Sequence, residues 1–99
     1  MTDFQQGDVI LKRAKEIKGK KLNHLILAKG EHTGHKHVIT EGAAELYEHE
    51  GTLFLKVLSE SAVVTHEEHT AIEIPNGDWE IGIVREYDHL AEEAKNVTD

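Results

Sequence analysis

The sequence predicts an all-β fold, a small barrel or sandwich of about eight short strands, and three observations lead there. Apolar residues come in short runs separated by turn residues. Two runs alternate with a period of two. No long stretch carries the 3.6-residue period of an amphipathic helix.

Gly7 to Arg13, with Val9, Ile10 and Leu11, is the first expected strand. The charged stretch Ala14 to Lys21 reads as a helical turn or a loop, and Gly19 weakens a helix there. Leu22 to Ala28 and His35 to Thr40 follow as strands, and Glu41-Gly42 turns the chain into Ala43 to Glu48. In Thr52 to Leu58, the side chains of Leu53, Leu55 and Val57 share one face. Ser59-Glu60 then predicts a turn into Ser61 to His66, and His69 to Ile74 is the next strand. Pro75-Asn76-Gly77-Asp78 is the strongest turn signal, because Asn-Gly favours tight reversals. Beyond it Trp79, Ile81 and Ile83 alternate with Glu80, Gly82 and Val84, which gives a half-buried strand. Asp88 can cap a short C-terminal helix running through Asn96.

Residues 1–99 fit a single β-rich domain, with 1–6 and 88–99 as terminal segments. Aromatic residues are scarce, so the core must be built mainly from Val, Ile and Leu. A core this small gains from a metal or a partner subunit.

The net charge of −8, from 11 basic and 19 acidic side chains, opposes phosphate binding and argues against nucleic acid as a partner. Lys12, Arg13, Lys15, Lys18, Lys20 and Lys21 form one basic stretch, which reads as a solvated loop rather than an anion patch. There is no cysteine, which excludes disulfides, thiolate metal sites and cysteine nucleophiles. No apolar run is long enough to span a membrane, and no signal peptide follows Met1, so a cytoplasmic protein is expected.

Eight histidines are many for this length, but their spacing matters more than their number. His35 and His37 lie two apart in an expected strand, so both imidazoles project from one face, roughly 7 Å apart at the backbone. Such a pair can converge on one ion at about 2.0–2.1 Å from each nitrogen. His66 and His69 flank Glu67-Glu68. In a tight hairpin they face each other across the ladder; in one helical turn they share a side. Counting by twos from His35 also places Ile39 and Glu41 on the histidine face, and a carboxylate there would complete a site with an open position. The candidate metal ligands are therefore His35, His37, His66, His69 and Glu41, for a divalent transition metal: zinc, iron, manganese or nickel. His24, His32, His49 and His89 are read as surface or hydrogen-bonding residues.

Gly30, His35, His37, Glu41 and Gly51 resemble the first motif of the cupin superfamily: a glycine, a short spacer, His-x-His, a glutamate and a second glycine. Pro75-Asn76-Gly77 is similar to the start of its second motif, but Glu80 stands where that motif has a histidine. Because Glu80 lies on the face opposite Trp79, Ile81 and Ile83, the fourth cupin ligand is not carried onto it. The resemblance implies a double-stranded β-helix holding a divalent metal inside the barrel. Gly34-His35-Lys36-His37, His66 to Gly77 and Arg85-Glu86-Tyr87 also look like stretches of small uncharacterised bacterial and phage proteins, a likeness that implies no activity.

Three functions compete. The first is a metal-binding β-barrel with a small-molecule or enzymatic role; Glu41, Glu67 and Glu68 could serve as bases, and no nucleophile motif surrounds Ser59 or Ser61. The sequence supports a site better than it supports a reaction. The second is a structural or interaction protein, a homo-oligomer or assembly component. The third, a nucleic-acid module built on Lys12 to Lys21, is the weakest.

Overall fold

The computed structural model describes residues 3–29 and 34–83. Eight strands, β1 (Phe4–Gln6), β2 (Val9–Arg13), β3 (Lys20–Lys21), β4 (Ile26–Lys29), β5 (Lys36–Glu41), β6 (Ala44–His49), β7 (Thr52–His66) and β8 (His69–Ile83), pair antiparallel in one curled half-barrel sheet. The described residues contain no helix. The expected C-terminal helix, Gly30, His32, His89 and Arg85-Glu86-Tyr87 lie outside them.

The all-β expectation holds, but the division into short strands does not. β7 and β8 are 15 residues each, and each joins two stretches that the sequence reads as separate strands. Ser59-Glu60 and Pro75-Asn76-Gly77-Asp78 are not reversals. They stand opposite each other where the β7–β8 register shifts between Val57↔Gly77 and Ser61↔Pro75. The Asn76 amide donates to the carbonyls of Val57, Leu58 and Ser59 at 2.9, 3.2 and 3.0 Å. Those carbonyls lie at the irregularity in the ladder, and the two N–H groups of one side-chain amide are shared among the three. Gly77 has φ 139°, a conformation that favours glycine, and the Arg13 guanidinium covers it. Arg13 also sits 4.4 Å from the Trp79 ring centroid, and the Trp79 indole N–H donates to Pro75 O at 3.0 Å. Residues with strong turn chemistry thus form a pinned bend.

Glu41-Gly42 marks the same level on the other side of β7. β5 pairs with the second half of β7 and β6 with its first half, so the chain passes a corner rather than a hairpin. Ala43 anchors that corner, its carbonyl accepting from Leu58 N–H at 2.8 Å and its N–H donating to Ser59 Oγ at 2.9 Å. The sheet therefore folds over along one line, and its two halves bury a common core.

Val9, Leu11, Leu46, Leu55, Val64, Ile74 and Trp79 are the largest fully buried side chains, consistent with a core made mainly of aliphatic residues. Leu55 and Val57 face inward as their period predicts. Trp79 and Ile81 do the same, whereas Ile83 is exposed at the strand end. The first strand differs from its expected span. Phe4–Gln6, read as a terminal segment, form β1 and pair with β2, and Phe4 meets Trp79 edge to face at 5.4 Å. Gly7-Asp8 is the turn between β1 and β2, and Gly7 takes φ 60°. Ala14 to Lys21 is not helical; it ends in β3, paired with β6.

Candidate histidine site

β5 begins beside the tip of the β7–β8 hairpin, and this places the two histidine pairs together. His66 and His69 are cross-strand partners flanking the two-residue Glu67-Glu68 turn, the hairpin alternative of the two that the sequence allows. The ring centroids of His37 and His66 are 4.3 Å apart, those of His66 and His69 4.6 Å, and those of His37 and His69 6.0 Å. His35 lies 5.7 Å from His66. Two imidazoles on one ion place their centroids roughly 4.5–6.4 Å apart, given nitrogen–metal distances of about 2.1 Å. All four separations are close to that window.

The tip is tied to β5 by Glu67, whose Oε1 accepts from Lys36 N–H at 2.9 Å. That backbone donor, with a second from Glu67 itself, holds the Glu67 carboxyl below its usual range. Glu68 Oε2 lies 3.4 Å from His35 Nδ1. One nitrogen each of His35 and His66 and one oxygen of Glu67 lie within 4.8 Å of one another, a second grouping of donors that shares His66.

His37 is buried, and a second buried polar side chain, Gln6, contacts it. Gln6 Nε2 donates to the carbonyls of Val64 at 3.0 Å and Thr70 at 2.9 Å. The reverse amide orientation would press Oε1 against two carbonyl oxygens, so these bonds fix which end is oxygen. Gln6 Oε1 then accepts from His37 Nδ1 at 2.9 Å. The proton of neutral His37 is therefore on Nδ1, and Nε2 carries the lone pair. Burial lowers the His37 pKa most, and His66 lowers it further by like charge; Asp8 opposes both. The neutral, ligating form is thus favoured at neutral pH.

His66 differs. Its Nδ1 accepts from Glu68 N–H at 3.0 Å, so the neutral ring carries its proton on Nε2. Ligation through Nδ1 would displace that backbone donor. His69 is exposed and its ring lies on Gly7, where an added Cβ would stand 2.6 Å from His69 Nε2. Glu41 is not brought to this group. It is exposed at the other end of β5, beyond a register shift, about 13 Å along the strand from His37. His24 Nδ1 accepts from Ile26 N–H at 3.1 Å, and His49 is exposed beside Glu50.

The sequence reading missed Gln6, Gly7 and Asp8. The Gly-Asp pair between two short apolar-polar stretches was the available signal for a hairpin turn. Nothing local could show that this turn docks on residues near 66–70.

Two open clefts accompany the site. One of about 230 Å³ is lined by Lys36, Val38, Thr65, His66 and Glu67 and adjoins the histidines. The other, about 420 Å³, lies at the sheet bend among Glu60, Ser61, Glu73 and Pro75. No helix among the described residues is long and apolar enough to cross a membrane.

No curated protein and no solved structure matches the chain. One family does, described as Domain of unknown function (DUF8820), and the match covers residues 5–84. That span takes in all of β2 to β8, β1 from Gln5 onward and every residue of the histidine group, and the chain belongs to this family.

Proposed function

We propose that the protein binds a divalent transition metal in the group formed by His37, His66 and His69, with His35 at its edge. The observation that supports this most is the gathering of three imidazole rings from β5, β7 and β8 at centroid separations of 4.3, 4.6 and 6.0 Å, beside His35, His66 and Glu67, whose ligand atoms lie within 4.8 Å of one another. Imidazole donors suit zinc, iron and nickel, and manganese where carboxylate oxygens join them. Exposure of His69 leaves one side of the group open to solvent, which suits an ion that keeps a water or accepts a small molecule. The cupin likeness would add Glu41; the proposed site draws on the hairpin histidines instead, because Glu41 lies at the far end of β5.

Elemental analysis of untagged protein tests the proposal. Near-stoichiometric metal is expected in the wild type and its loss in His37→Ala/His69→Ala. Wild-type protein that retains no metal after loading with zinc, nickel, manganese(II) and iron(II) would overturn it.

One observation favours a second reading, a structural or interaction protein whose histidines serve hydrogen bonding. His66 already closes the hairpin turn through Glu68 N–H, and His37 already holds Gln6. On that reading the protein's mass in solution, not its metal content, is the informative measurement.

A further inference from the structure

Resting on the metal reading above, we infer that the β1–β2 turn completes the site: Asp8 is an oxygen ligand beside His37 Nε2, and Gln6 is the positioning residue that aims that nitrogen. Nothing in the sequence pattern points to either residue, and both come from the segment farthest in the chain from the hairpin tip.

The starting observation is a pair of facing atoms. His37 Nε2 and Asp8 Oδ1 are 3.6 Å apart. Because Gln6 fixes the His37 proton on Nδ1, Nε2 offers a lone pair, and the carboxylate opposite offers another. Two lone pairs facing each other at this separation are a ready pair of donors for a shared cation. That cation is either a proton, converting His37 to imidazolium, or a metal ion. A metal suits the spacing, because two ligands at about 2.1 Å in a tetrahedral site lie roughly 3.4 Å from each other. The side chain of His37 is 5% exposed and that of Asp8 62%, so one ligand is held rigidly and the other stands at the mouth.

Gln6 plays the part that an outer partner plays for a metal-bound histidine. A carbonyl-type oxygen on Nδ1–H orients the ring and fixes its tautomer, and loss of such a partner weakens metal affinity about 10–100-fold. Here that partner is itself immobilised by two backbone carbonyls, from Val64 on β7 and Thr70 on β8. The adjacent Gly7 lets His69 lie directly on the turn, so β1–β2 contacts ligands from β5 and β8 together. The resulting donor set, imidazole nitrogens with one carboxylate oxygen, suits a first-row divalent ion with an open position.

Two measurements test this. Zinc titration of wild type and Asp8→Asn by calorimetry reads the oxygen ligand; Asp8 is exposed, so its substitution leaves the core untouched. Affinity is expected to fall at least tenfold. Wild-type binding with Asp8→Asn unchanged overturns the ligand assignment while leaving the metal reading intact. Absence of zinc binding by the wild type overturns the metal reading and Asp8 with it. Nitrogen-15 NMR of the metal-free wild type at neutral pH reads the tautomer without any substitution. A protonated Nδ1 and an unprotonated Nε2 on His37 are expected, and a protonated Nε2 overturns the role of Gln6 whether or not metal binds.

Discussion

The ring of His69 lies against Gly7 so closely that a Cβ on residue 7 would stand 2.6 Å from Nε2. Gly7 also has φ 60°. A side chain there is disfavoured twice, by backbone strain and by the imidazole it would displace.

Gly7→Ala should therefore lower stability by about 1–2 kcal/mol and weaken zinc binding as His69 is pushed aside. Gly51→Ala is the control: Gly51 has φ 84° with nothing near its would-be Cβ. It should show a similar loss of stability in denaturant unfolding and unchanged zinc affinity. Equal effects of both variants on zinc would exclude the His69 contact as the cause.

Asn76 is expected to be worth more than its exposed position suggests. Asn76→Ala removes one donor group from three carbonyls at the sheet bend and should destabilise by about 1–3 kcal/mol. Urea unfolding measures it; a loss below about 0.5 kcal/mol would mean that water replaces the amide without penalty.

Stability should fall as the solution is acidified below about pH 6.5, the ordinary imidazole value. The folded state lowers the His37 pKa, so the unfolded chain binds the proton more readily. The contribution of His37 is full above the unfolded value and is lost as pH falls through the folded one. His37→Gln should flatten this part of the profile in melts followed from pH 8 to pH 5.

Metal should raise the melting temperature of the wild type. Free zinc at 100 times its dissociation constant would add about 2.7 kcal/mol. Glu41→Gln should keep that shift, whereas His37→Ala should abolish it. Loss of the shift in Glu41→Gln would return Glu41 to the ligand set.

Much of the sheet was legible because burial imposes a period of two. Leu55 and Val57 flank the half-buried Lys56, and Trp79 and Ile81 alternate with Glu80 and Gly82, although Phe54 is buried out of phase with Leu55. The bend was not legible, because asparagine, glycine and proline serve bulges as readily as reversals. Only the facing strand decides between the two, and Val57 to Ser61 is that strand. The same limit applies to the site. His35 with His37 and His66 with His69 are each local patterns. Gln6 meets Val64 across 58 positions of sequence and Thr70 across 64, beyond the reach of any periodicity.

Those separations bear on the order in which the chain acquires its shape. Closing so long a loop loses entropy before any contact compensates, so docking of the first hairpin on the last belongs late in folding. A growing chain that has emerged only through β6 holds Gln6, Asp8 and His37 but lacks His66 and His69. An ion bound by all of them can recognise nothing but the finished sheet. It would act as a latch, slowing escape from the native state while leaving the speed of reaching it almost unchanged.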